Sequence, residues 1–242
     1  MVKLSVEIAD SVAPDLEGKL KAATELGIHN IEISDCVDGK TLYEMNGAED
    51  ERIRNLLIDF NMRVVLVSTG LRPDDRDAWK ILMRRCMLLD VEAVKIDVSK
   101  GEDTTFVKRI IDSFGVELCV ENCAGGSIAD ENAIFEAVRE HGARVIFNPL
   151  EIVKTECHPF LNTFTAGKFK NDIGFLRIND GLYRTHESVM LSHGCTEIKE
   201  LASILLCRSF KGYFSFVPYM AETDLNVYRE NIATLKNLLK NC

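Results

Sequence analysis

Two glutamates and three cations in this chain are placed where they could do acid–base chemistry. Glu32 belongs to the run Ile28-His29-Asn30-Ile31-Glu32-Ile33, and Glu121 closes the run Val116 to Glu121. Both runs are short and rich in β-branched residues, so both read as strands. A glutamate at a strand end facing a partly dry mouth, its pKa raised by burial, can serve as a general base. The plainer reading pairs each glutamate with a nearby cation, and Lys95 and Arg177 are the partners at hand. Lys95 sits within the apolar run Ala93-Val94-Lys95-Ile96, where an unpaired ammonium would be costly. It therefore pairs with a carboxylate or meets a substrate anion; a Schiff-base role has little support in the sequence. Lys95, Arg177 and Arg184 together predict a locally cationic pocket suited to a phosphate or carboxylate, unless Asp97, Asp180 and Glu121 neutralise them. Cys123, two residues after Glu121, could be a nucleophile if His158 or His193 faced it; otherwise it is an incidental loop thiol. Cys157-His158-Pro159 is a further loop candidate.

The elements that must position these residues follow an alternating rhythm. Strands are predicted at Lys3 to Ile8, Ile28 to Ile33, Arg63 to Ser68, Ala93 to Val98, Val116 to Glu121, Arg144 to Asn148, Ile173 to Asn179 and Tyr213 to Val217. Between them lie amphipathic helical stretches. One runs from Leu16 to Leu26 and stops at Gly27, one ends near Met62, and one carries Trp79, Leu82 and Met83. The last spans about Asp224 to Leu239. Eight strand–helix units at a pitch of about thirty residues predict a single-domain α/β protein, a (β/α)₈ barrel, covering residues 1–242. A doubly wound open sheet shares the rhythm, but no GxGxxG turn follows the first strand, where Ile8 leads into Ala9-Asp10-Ser11.

Composition sets the bounds. The chain has 242 residues, 46% hydrophobic and 28% charged, the balance of a globular protein with a large core. A net charge of -9 disfavours a polyanionic partner and makes a small molecule the expected one, with no nucleic acid. No stretch is long and apolar enough to span a membrane, and no signal peptide precedes the first strand. Eight cysteines lie scattered without a CxxC pair. They predict reduced, mostly buried thiols and a cytoplasmic protein. Whether the chain forms a homo-oligomer is left open.

Several segments, taken in order, resemble the xylose isomerase-like barrels, which include sugar phosphate isomerases and epimerases and AP endonuclease family 2. They are Ala23 to Glu32 around Leu26-Gly27, Val120-Glu121-Asn122, Phe147-Asn148-Pro149, Phe175 to Asp180, Leu191-Ser192-His193-Gly194, and Gly212 to Pro218. The resemblance implies proton transfer between adjacent carbons of a sugar. It also implies a divalent metal held by Glu, Asp, His and Glu at the ends of strands five to eight. Carried over by position, Glu121 matches, whereas the other three positions hold Asn148, Arg177 and Val217. Asparagine offers no charge, valine no ligand, and arginine repels a cation. No conventional metal site is therefore expected. A manganese, magnesium or zinc ion would need a rearranged site, with Glu121 and Glu151 as carboxylates and His186 or His193 as a further ligand.

These residues predict a divergent isomerase or epimerase acting on a small polar sugar derivative, neutral or anionic. Glu121 would be the base and Glu32 a second acid/base, while Lys95, Asn148, Arg177, Arg184 and His193 would contact the substrate. The alternative is a catalytically inactive barrel that binds a small ligand or a protein partner. A DNA repair enzyme on the same fold would need a histidine- and acid-rich metal cluster and a basic groove, which five histidines and the negative balance do not suggest.

Overall fold

The computed structural model describes residues 2–97, 103–122 and 142–240. Eight parallel strands close into a barrel: β1 (Lys3–Val6), β2 (Asn30–Ser34), β3 (Arg63–Thr69), β4 (Ala93–Ile96), β5 (Glu117–Glu121), β6 (Arg144–Phe147), β7 (Ile173–Arg177) and β8 (Tyr213–Phe216). Each pairs with its neighbours in sequence, and β8 closes on β1, with Lys3 opposite Tyr213 and Val6 opposite Phe216. The (β/α)₈ expectation holds. A two-stranded hairpin, Cys36–Val37 with Lys40–Thr41, follows β2 and was not foreseen.

The helices form because their apolar residues recur every three or four positions. α1 (Leu16–Glu25), α2 (Gly47–Asp59) and α3 (Arg76–Leu88) cover β1 to β4, and α3 buries Trp79, Leu82, Met83 and Cys86 on one stripe. α4 (Thr105–Ser113), the short α5 (Pro149–Val153), α6 (Ile198–Cys207) and α7 (Leu225–Leu239) follow. Caps fix several starts. The Asp15 carboxylate accepts from Gly18 N, Asp224 accepts from Asn226 N and Val227 N, and Asn46 with Glu49 forms a capping box on α2.

Strand alternation separates two cores. Outward side chains pack under the helices in the main hydrophobic cluster. The lower inside of the barrel is filled by Val65, Leu66, Ala93, Cys119, Ile146, Phe175 and Tyr213, with the last two rings stacked 5.1 Å apart. Above this plug the inward positions turn polar: Ser5, Glu32, Arg177 and Ser215 are all buried. The register shifts at two places just below that layer, between Ile31 and Glu32 against β3 and between Val145 and Ile146 against β7. Such shifts re-aim side chains. The second one passes over Gly174, whose carbonyl lies where a Cβ on Gly212 would sit, so β7 and the turn into β8 approach too closely for any larger residue there.

Of the six described cysteines, all free, only Cys86 and Cys119 are buried; Cys157 and Cys195 are half-buried and Cys36 and Cys207 exposed. The expectation of mostly buried thiols is thus corrected. Burial pushes the Cys86 thiol up to about 12, which leaves it an inert packing group.

Candidate functional site

Arg177 ends β7, a strand buried along its whole length, and its guanidinium lies in the barrel interior at 2% exposure. Its Nε and Nη2 donate to Glu121 Oε1 and Oε2, both at 2.9 Å, a side-on bidentate pair. Its Nη1 donates to Glu32 Oε2 and, at 2.6 Å, to Ser215 Oγ. Glu32 Oε1 in turn accepts from Ser5 Oγ and Ser215 Oγ, each at 2.6 Å. Lys95 Nζ reaches Glu121 Oε2 at 3.3 Å. Two carboxylates and two cations therefore neutralise one another across β2, β4, β5 and β7. Ser5 and Ser215 come from the paired strands β1 and β8, whose alternation turns them inward beside each other.

A relay of amides extends this layer toward the mouth. Asn148 Nδ2 donates to Glu121 Oε1 at 2.9 Å, and Asn179 Nδ2 donates to Asn148 Oδ1 at 2.8 Å. A carboxylate only accepts, so Glu121 sets the direction of both bonds, and the buried Asn179 Oδ1 is left unpartnered among the described residues. Asn122 holds the backbone of Asn148 from both sides, accepting from its N–H at 2.7 Å and donating to its carbonyl at 2.9 Å.

These contacts correct the expectation of a raised pKa at Glu121. Burial pushes its carboxyl upward, but the Arg177 charge and hydrogen bonds, with help from Lys95 and Asn148, overcome this and hold it at about 2. The fold therefore holds it as an anion. Glu32 is mid-strand and buried rather than at a strand end. The cationic pocket is corrected in the same way, because Lys95 and Arg177 are neutralised within the layer. Asp180, named with Asp97 as a neutralising group, instead organises the loop after β7, accepting from Gly181 N, Gly194 N, Thr196 N and Thr196 Oγ1. A Cβ at 194 would overlap that carboxylate, which is why the Leu191-Ser192-His193-Gly194 turn needs its glycine.

Other candidates lie apart from this layer. Arg184, His186 and His193 are exposed on the loop after β7. Glu151 pairs with Lys154 at 2.7 Å. Among the described residues no group of three or more His, Cys, Asp or Glu side chains could hold a metal ion, so the rearranged metal site is not assembled from them. Val217, at the eighth-strand position, offers no ligand atom. His158 clasps two loops, with Nδ1 2.8 Å from Tyr183 Oη and 3.4 Å from Glu197 Oε1. Cys123, Gly125, Gly126 and His141 lie outside the described residues.

A cleft of about 570 Å³ opens between the ends of β8, β1 and β2, its polar lining including Glu7, Asp10, Lys19, Glu32, Ser34 and Asp38. The sequence reading missed Glu7. The signal was the alternation Lys3-Ser5-Glu7, three polar side chains two apart on one face of a strand. Burial and the nearby Glu32 and Glu121 push the Glu7 carboxyl upward against the opposing pull of Arg177 and Lys95.

No known family profile and no curated protein sequence matches the chain. Solved structures do. A xylose isomerase domain-containing protein from Salmonella typhimurium superposes with a TM-score of 0.71 at 16% identity, covering 97% of each chain. The 3-keto-D-glucoside 4-epimerase of E. coli gives 0.75 at 12%, covering 98% of this chain and 100% of its own. A protein called IolI, solved with a bound zinc atom, gives 0.71 at 15%, covering 99% and 97%. Over nearly its whole length the chain has the fold of the xylose isomerase-like and sugar epimerase barrels.

Proposed function

We propose that this chain is a divergent sugar isomerase or epimerase that binds a small, uncharged sugar derivative at the barrel mouth and moves a proton on it. The Arg177 guanidinium takes the place of the divalent ion that the resemblance implies. The observation that carries this reading is the bidentate Glu121–Arg177 pair, closed on its other side by Glu32. A fixed cation at the base of a polar mouth can stabilise an enediolate without a metal. The donor count allows it. Among the described residues Arg177 commits four of its five N–H groups and Lys95 one of three, which leaves one N–H on Nη2 and two on Nζ for a developing oxyanion. A divalent ion does not fit the same place, since the guanidinium already occupies the carboxylates that would bind it. The internal neutralisation of Lys95 and Arg177 also supports an uncharged substrate over a phosphate ester.

The test is deuterium wash-in at the carbon beside the carbonyl of D-xylulose, D-fructose and D-tagatose in D₂O, with EDTA and with added manganese. The expected result is exchange that persists in EDTA and does not rise with manganese. Exchange that requires manganese would overturn it. A second reading, a binding protein without turnover, is favoured by the saturation of Glu32 and Glu121 by internal partners. Sugars that raise the melting temperature while no exchange occurs would establish it.

A further inference from the structure

The two buried glutamates are spoken for, which raises the question of which group carries the proton. Glu7 directly follows Val6, the last residue of β1, on the inward side set by Ser5, and it lines the cleft with Glu32. Its backbone is clamped. Tyr228 Oη from α7 donates to Glu7 O at 2.7 Å and accepts from Ala9 N at 3.1 Å, and Glu7 N donates to Phe216 O at 2.9 Å. Its carboxyl, in contrast, makes no hydrogen bond or ion pair among the described residues. The chain thus holds the base of this side chain rigidly and leaves its acid group to the cleft.

Among the described residues the charged groups facing Glu7 lie inside the barrel and at the cleft rim. Inside the barrel are Glu32 on β2, Lys95 on β4, Glu121 on β5 and Arg177 on β7. At the cleft rim Lys19 on α1 pairs with Asp10 at 2.5 Å, and Asp38 pairs with Arg52 at 2.5 Å while accepting from Leu16 N. The rim cations are therefore neutralised, which disfavours phosphate and suits hydroxyl donors.

We infer that Glu7 is the proton-carrying residue of this barrel, that its substrate is an uncharged aldose or ketose seated in the cleft between β8, β1 and β2, and that the reaction is aldose–ketose isomerisation. The inference rests on the isomerase or epimerase reading above. In the step, the Glu7 carboxylate removes the proton from the carbon beside the carbonyl, and the electron pair of that C–H bond passes to the carbonyl oxygen as an enediolate. The carboxyl then returns the proton to the neighbouring carbon, and the hydroxyl proton crosses to the former carbonyl oxygen. No redox partner is needed. One carrier serves both carbons from one face, whereas epimerisation would require a second carrier on the opposite face.

The experiment compares wild type with Glu7→Gln and Glu7→Asp in the same sugars in D₂O, following product identity, deuterium content and melting temperature. The expected result is aldose product in wild type and a loss of about 100-fold or more in Glu7→Gln with the melting temperature retained. Glu7→Asp should keep a fraction of the rate. A pH profile should show one carboxyl limb above the ordinary glutamate range, absent from Glu7→Gln. Wild-type exchange that survives Glu7→Gln overturns the assignment of Glu7 and leaves the functional reading standing. An epimer as the product overturns the single-carrier step. No exchange in wild type with any sugar overturns the functional reading and this inference with it.

Discussion

The two sides of the barrel mouth treat their carboxylates in opposite ways. On the β5 to β7 side Glu121 receives both arms of Arg177, an amide and a lysine, and it is held far below the ordinary carboxylate range. On the β1 to β2 side Glu7 receives none of these, opens on a cleft and is held above that range. Both groups lie within the field of the same Arg177 and Lys95, so distance from a positive charge alone does not separate them. What separates them is direct hydrogen bonding to the charged form, which among the described residues Glu121 has and Glu7 lacks. Among the described residues the first side saturates its carboxylate with partners, and the second leaves its carboxyl to the cleft.

Removing the central cation breaks this contrast most severely. Arg177→Met leaves Glu32 and Glu121 as buried charges whose main partner is gone, and the expected loss is about 3–5 kcal/mol of stability by urea unfolding. Arg177→Lys keeps the charge but cannot make the side-on pair, so it should recover only part of that loss. Wild-type stability in Arg177→Met would mean that the layer is not held together by this residue.

Acid attacks the same layer by titration. Glu121 has its pKa lowered from 4.5 to about 2 on folding. Its contribution is therefore fully present above pH 4.5 and lost as the pH falls through that value toward 2, a ceiling of about 3 kcal/mol. Urea midpoints measured from pH 6 down to pH 2.5 should fall across this window, and Glu121→Gln should flatten the fall. Lys95→Met comes next. Its single contact of 3.3 Å is partly open to solvent, so the expected loss is about 1 kcal/mol, with the acid transition moved to higher pH.

How far the sequence discloses this contrast depends on what sets each feature. The barrel was legible because β-branched runs and three-to-four spacing are local signals. Gly27 and Asn61, both at positive φ, end α1 and α2 where the pattern stops. Glu32, Lys95, Glu121, Asn148 and Arg177 were legible as residues, and the plainer reading paired the two glutamates with Lys95 and Arg177. Their saturation was not, because bidentate geometry joins residues 56 positions apart. Glu7 escaped notice because its meaning depends on Ser5 and Ser215 turning inward with it, a property of barrel closure. The Cys36–Thr41 hairpin and the loop-ordering role of Asp180 also come from tertiary contacts, which no local pattern carries.

The smallest expected effect is the sharpest in sign. Glu7 has its pKa raised on folding, so the folded state favours its protonated form. Its contribution is present below the unfolded value of 4.5 and is lost as the pH rises through the folded value, where the cost of a half-buried charge sets in. Glu7→Gln mimics the protonated carboxyl and carries no such cost. The variant should match wild type below pH 4.5 and become the more stable of the two at pH 8, by less than about 1 kcal/mol. Glu121→Gln should do the reverse, because there the charged form is the one the fold holds. Paired urea titrations of both variants at pH 4 and pH 8 measure the two signs directly. If both variants lose stability at pH 8, the Glu7 carboxyl is held by partners as Glu121 is, and the two sides of the mouth are not built differently.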